Sequence, residues 1–330
     1  MTPGDNVILA VRDLDTVIST KMGRFLAVDG VSFDVHKGET LGIVGESGSG
    51  KSMIGLSLLR LVPRHAATIT GGSVKLGETE LLDLSEPEMR KVRGRDIAMI
   101  LQDPQTSLNP AFTVGNQIIE ALRLHRQPEA GGYFAMAVDA LRKVRVAAPE
   151  MRVNAYPHQM SGGMRQRVVG AIAISCMPKV IIADEPTTSL DVTVQAQYLR
   201  LLRELQQETG LSIIFITHDF GIVARVCHRL AVMYAGQIVE SGPVRRIFER
   251  PAHPYTEALL ASVPRLDSQS GRLPSIDGQP PALWNKPKGC RFAPRCPYAD
   301  ARCHAEMPPV FDLGGDGAMK HSAKCWRLSP

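Results

Sequence analysis

Long apolar runs are missing from this 330-residue chain. Nowhere do about 18 apolar residues stand together, so no helix is expected to span a bilayer. The opening residues, Met1 to Asn6, lack a basic stretch followed by an apolar one, so no secretory leader is expected. A cytosolic, reducing setting follows, and the six cysteines are then poor candidates for disulfides. Charge of one sign is also scarce. The net charge is +5, and the basic residues are scattered rather than striped, which gives no reason to expect nucleic acid as a partner. Internal repeats and sustained heptads are absent too.

What remains is an ordinary globular composition, 44% hydrophobic and 22% charged, long enough for two or three units. Short β-branched runs at 7–11, 31–35, 41–44, 97–100, 180–183, 212–216 and 230–233 alternate with helical patterns. That alternation predicts an α/β fold. Several runs are apolar throughout, as strands covered on both faces should be. Between about 88 and 178 the strand signal fades, and helical periodicity at 114–124 and 134–144 predicts a helical subdomain. Beyond 264, Pro264, Pro274, Pro280, Pro281 and Pro287 with interspersed Gly and Ser predict an irregular extension.

Gly45-Glu46-Ser47-Gly48-Ser49-Gly50-Lys51-Ser52 fits G-x-x-x-x-G-K-[ST] and follows the apolar run 41–44, with a helix expected from Lys51. Glycines let successive N–H groups turn into one concavity, and the following helix adds its positive end. Lys51 can reach the β- and γ-phosphates, and the Ser52 hydroxyl can join a Mg²⁺ shell. A nucleoside triphosphate is the expected ligand. The strand at 180–183 runs into Asp184 and Glu185. An acid at such a strand end can hold Mg²⁺, a role assigned to Asp184. Glu185, one residue on, is placed to polarise the attacking water. Ser161-Gly162-Gly163, before a helix expected at 168–175, supplies a hydroxyl and N–H donors, a second anion-binding device.

The order of these motifs, with Gln102, Ser189-Leu190-Asp191 and His218, resembles the ATP-binding subunit of ABC transporters over about residues 7–245. The resemblance implies a P-loop NTPase core working as a head-to-tail pair with two ATP molecules between the copies. Ser161, Gly162 and Gly163 would clamp the γ-phosphate of the partner's ATP. Gln102 would sense γ-phosphate and Mg²⁺, and Asp191 would link the two sites. His218 would hydrogen-bond the γ-phosphate and hold water with Glu185. Two departures stand out. Met160 and Met164 flank Ser-Gly-Gly where Leu and Gln are usual, and Ile18 occupies the position of the usual adenine-stacking aromatic, for which Phe25 is the substitute on offer.

Cys290, Cys296 and Cys303, with Cys325 further on, lie in the Pro-containing extension. Four thiols on loops suggest a metal site stapling a segment poor in apolar residues. The spacing alone leaves zinc, an iron–sulfur cluster and free thiols open. The run His253-Pro254-Tyr255-Thr256, the Gly278-Gln279-Pro280 turn and Gly289-Cys290 through Cys296-Pro297-Tyr298 resemble the C-terminal extension of oligopeptide and dipeptide importer ATPases. By that resemblance the four cysteines are ligands of a [4Fe–4S] cluster. Cys176 and Cys227 are expected inside helices as core residues.

The domain expectation is an ATP-binding domain over 1–250 and the extension over 251–330. The resemblance implies an ATPase driving peptide uptake, peripheral to the cytoplasmic face of a bacterial inner membrane. Its implied partners are two membrane-spanning permeases, a second ATPase chain, most naturally a paralogue, and an extracytoplasmic peptide-binding protein. Import of nickel or glutathione by the same broader family is the near alternative. A soluble ATPase acting on nucleic acid or ribosomes is the distant one.

Overall fold

A computed structural model describes residues 6–188, 190–263, 275–282, 284–315 and 320–329. Pro264, Pro274 and Ser189 lie outside the described residues. The chain divides into two compact units, one formed by Met1–His36, Thr40–Leu82 and Ile216–Pro330, the other by Lys37–Glu39 and Asp83–Phe215.

In the first unit an antiparallel sheet runs in the order Gly23–His36, Val7–Thr20, Ala67–Leu76, Thr79–Glu80. Its central strand buries Leu9 and Val11, then Leu14 and Thr16, so the inward phase slips by one residue. A bulge between Val11 and Leu14 makes the slip. Asp13 sits there with φ 46°, a left-handed conformation that aspartate tolerates better than most residues, and its N–H donates to Ser32 Oγ at 2.8 Å.

A second sheet in this unit carries the phosphate-binding motif. Thr40–Val44 lies parallel to Arg229–Tyr234, with Leu41 opposite Arg229 and Val44 opposite Val232. All five residues of Thr40–Val44 are buried, as the apolar run 41–44 predicts. Arg229–Tyr234 turns back through Ala235-Gly236, at φ 46° and 91°, into antiparallel Gln237–Pro243. Positive φ at both turn positions matches the twist of a tight hairpin. The extension then adds two short strands, Ser322–Ala323 beside Gln237–Pro243 and Phe311–Asp312 beyond it. It also packs apolar anchors. Tyr234, Tyr255 and Phe292 are almost wholly buried, with ring centroids 4.5 to 5.3 Å apart.

In the second unit Val180–Asp184 is buried throughout and pairs in parallel with Ile97–Ile100. The strand Ser212–Thr217 begins in this unit on the other side of Val180–Asp184. Helices Val114–His125 and Gly132–Lys143 follow the expected helical patterns and pack together with Gly162–Ile174. Val114, Ile118 and Leu122 recur at helical spacing on the buried face of the first of them. Gly115 permits close approach, since a Cβ there would meet Val153 O at 2.6 Å. Cys176 and Cys227, expected inside helices, instead stand just past the ends of Gly162–Ile174 and Phe220–Val226. No helix among the described residues is long and apolar enough to cross a membrane.

Candidate functional site

The loop 45–52 joins the buried strand Thr40–Val44 to the helix Lys51–Leu58. Gly45 and Gly50 have φ 158° and 103°, and their backbones are pressed against neighbours. A Cβ on Gly45 would collide with Met233 O and one on Gly50 with Ala27 O. Gly48, by contrast, has open space at its Cα. Lys51 is buried, and its Nζ donates to Gly45 O at 2.7 Å and Glu46 O at 2.9 Å. An ammonium curled back on its own loop holds the loop's shape. The Ser49 hydroxyl is buried without a hydrogen-bond partner among the described residues. Burying an unpaired hydroxyl is costly, and such orphans mark places where a missing group completes the bonding. A glycine-lined cradle, a buried ammonium and an orphaned hydroxyl fit a polyphosphate.

The acidic strand end lies in the second unit. Asp184 closes Val180–Asp184 and is 5% exposed. Glu185 follows with φ 45°. Its Oε2 accepts from Gln102 Nε2 at 3.1 Å and from Thr188 Oγ1 at 3.0 Å. The structure therefore brings together Gln102 and Glu185, 83 residues apart in sequence. Thr188, which sequence reasoning passed over, orients the carboxylate from the other side.

Ser161 is the N-cap of Gly162–Ile174 and accepts from Met164 N–H at 3.4 Å, so this helix begins six residues earlier than 168. Ser161 and Gly162 are exposed. Gly163 has no room for a side chain, since a Cβ would stand 2.7 Å from Val194 Cγ1. Asp191 caps Val192–Thr209, its Oδ1 accepting from Thr193 and Val194 N–H at 3.1 and 3.0 Å. His218, back in the first unit, is exposed just after Ser212–Thr217. Ile18 pairs directly across the hairpin with Phe25, whose ring stands 6.4 Å from that of Trp284 in the extension.

The four cysteines of the extension are free thiols. Burial pushes all four above the ordinary thiol range, Cys290 to about 11, with the neighbouring thiols adding to the rise at Cys290, Cys303 and Cys325. Among the described residues no group of three or more His, Cys, Asp or Glu side chains could hold a metal ion. The expectation of a [4Fe–4S] cluster at Cys290, Cys296, Cys303 and Cys325 is therefore corrected. Its physical premise also fails, because the extension is not short of apolar anchors. Phe292 and Tyr255 sit inside a core with Tyr234, Val239, Val244 and Ile247. Burying such rings stabilises by about 2–3 kcal/mol each, so docking has a source other than a metal staple.

Two extension residues that touch the phosphate loop escaped sequence reasoning. Tyr255 Oη accepts the Glu46 N–H at 2.9 Å, and Arg295 pairs with the Glu46 carboxylate at 2.7 and 3.0 Å. Only the His253-Pro254-Tyr255 run carried a signal for the first. Nothing in the spacing pointed to the second, 249 residues from its partner.

Comparison with known proteins agrees with this geometry. A family profile described as ABC transporter matches residues 28–188, and one described as oligopeptide/dipeptide transporter, C-terminal region, matches 239–303. A probable peptide ABC transporter ATP-binding protein of Sinorhizobium fredii is 50% identical over 326 residues, 98% of this chain and 96% of the relative. A dipeptide transport ATP-binding protein of Bacillus subtilis is 48% identical over 319 residues, covering 97% and 94%. Among solved structures, an ATP-binding cassette captured as a dimer in a post-hydrolysis state with ADP and phosphate aligns with TM-score 0.64 at 26% identity. It covers 72% of this chain and 99% of that one.

Proposed function

The chain belongs to the ATP-hydrolysing ABC transporter family, and from that premise we propose that it energises the import of di- or oligopeptides across a bacterial cytoplasmic membrane. One observation carries the peptide reading: the match of 239–303 to the oligopeptide/dipeptide transporter C-terminal region. We assign ATP to the loop 45–52, with Lys51 leaving Gly45 O and Glu46 O for the phosphates. Ser52 and Asp184, with Gln102, are the residues that would hold Mg²⁺, whose charge offsets the charge developing on the phosphoryl oxygens. The adenine is assigned to the apolar surface of Ile18 and Phe25.

Catalysis rests on position rather than on a covalent intermediate. Water adds in line to the γ-phosphorus, the bond to the ADP oxygen breaks, and Glu185 takes the water proton. Gln102 and Thr188, both donating to Glu185 Oε2, orient the carboxylate that takes the proton. His218 supplies a further hydrogen bond to the γ-phosphate. Ser161, Gly162 and Gly163 are assigned to the ATP of a second ATPase chain, with Asp191 linking the two sites. The remaining partners in this proposal are two permeases and an extracytoplasmic peptide-binding protein, with this chain peripheral at the cytoplasmic face.

Uptake of radiolabelled di- and oligopeptides by cells lacking the gene tests the reading. Restoration by the wild-type gene and not by Lys51→Ala is the expected result. Normal peptide uptake with lost nickel or glutathione uptake would replace it with the near alternative.

A further inference from the structure

The phosphate loop is held from outside its own consensus. Glu46 contributes a carboxylate to a loop that receives a polyanion, and an uncompensated charge there would repel the ligand. Arg295 answers it with a fork of two hydrogen bonds, Nη1 to Oε2 at 2.7 Å and Nη2 to Oε1 at 3.0 Å. Such bidentate pairs fix geometry as well as charge. The Arg295 side chain is only 4% exposed, which shields the pair from salt.

Arg295 is itself held rigidly. Nη1 also reaches Tyr234 Oη at 3.2 Å, Nη2 reaches Ile276 O at 3.4 Å, and Nε donates to Asp277 O at 3.0 Å. All five guanidinium N–H bonds thus have acceptors, two of them from the turn before Gly278. The guanidinium also stands 5.8 Å from the Tyr234 ring centroid and 6.0 Å from that of Phe292. Hydrogen bonding to the Glu46 carboxylate keeps Arg295 charged, above its ordinary range.

A second grip comes from Tyr255, whose hydroxyl accepts the Glu46 N–H. Burial raises its pKa, so it remains a neutral hydroxyl in any working range. Between them the two residues fix the side chain and the amide of Glu46. The same residue's carbonyl receives Lys51 Nζ.

We propose that Arg295 is a positioning residue of the ATP site: through Glu46 it sets the charge and shape of the phosphate loop, making ATP affinity depend on the C-terminal extension. The proposal rests on the assignment of ATP to residues 45–52.

A double-mutant cycle in the full-length chain tests it, with a fluorescent ATP analogue for affinity and phosphate release for turnover. Arg295→Ala should weaken nucleotide binding and raise KM for ATP about fivefold or more, with kcat changed less than KM. Glu46→Ala should weaken binding less, because it loosens the loop but leaves no uncompensated carboxylate. The double variant should be no worse than the weaker-binding single variant, because each change removes the same pair. Arg295→Lys should recover part of the loss. Tyr255→Phe should weaken binding separately and add to Arg295→Ala. Fully additive effects of Arg295→Ala and Glu46→Ala, or unchanged affinity in a folded Arg295→Ala protein, would overturn the proposal. Folding is checked by melting temperature without nucleotide. A wild-type chain that neither binds nor hydrolyses ATP would instead sink the functional reading on which it rests.

Discussion

Replacing His253 with asparagine isolates one proton's contribution to stability. His253 is 1% exposed, donates its N–H to Glu240 Oε2 at 2.9 Å, and accepts the Tyr255 N–H on Nδ1 at 3.0 Å. Burial lowers its pKa from 6.5 to about 4, the neighbouring Glu240 charge opposing the shift only in part. Between those values the unfolded chain takes up a proton that the native ring refuses. Stability is thus fully present above about pH 6.5, is lost as pH falls towards 4, and loses nothing further from this group below. The drop corresponds to about 3 kcal/mol. Asparagine keeps an acceptor for the Tyr255 N–H, as N-caps require, and does not titrate. Its packing defect is independent of pH, and the bond between His321 and Glu240 at 2.8 Å is common to both proteins. In urea unfolding, the stability advantage of wild type over His253→Asn should shrink by about 3 kcal/mol between pH 7.5 and pH 4. Parallel pH curves for the two proteins would refute the reasoning.

Glu185→Gln should bind ATP as wild type does and lose roughly 100-fold or more in turnover, measured by phosphate release, because the carboxylate that accepts the water proton is gone. Lys51→Ala should abolish nucleotide binding and transport, read by analogue fluorescence and by peptide uptake. Gly50→Ala should fail to form a working loop, since its Cβ would collide with Ala27 O and stand 2.8 Å from Met233 Cε. Gly48→Ala meets no atom and carries only the strain of φ 77°, about 1–2 kcal/mol, so it should fold and retain some binding. Phe25→Ala should raise the KM for ATP with little effect on kcat if the adenine packs there.

Much of this was legible where one local pattern settles the answer. The apolar runs 41–44 and 180–183 announced themselves because burial on both faces leaves no polar position within them. The phosphate loop was legible for a similar reason, since its chemistry needs contiguous residues. The Gly23–His36 and Val7–Thr20 hairpin was only half visible. Its bulge at Asp13 breaks the two-residue period, and a periodicity search loses the strand at that point. The pairing of Arg295 with Glu46 left no trace, because a contact across 249 residues has no spacing rule. The cysteines misled in the opposite direction. Their grouping suggested ligands, whereas packing against the core of Phe292 and Tyr255 gives Cys290 and Cys296 the ordinary role of small apolar side chains.

Glu185 keeps a backbone angle, φ 45°, that glycine or asparagine would accept more readily. Holding a glutamate there costs about 1–2 kcal/mol, and the turn around it must absorb that cost. Selection for heat resistance alone would relax this corner first. Among survivors of such a screen, substitutions at position 185 should be over-represented, and those proteins would grip nucleotide tightly while performing no work.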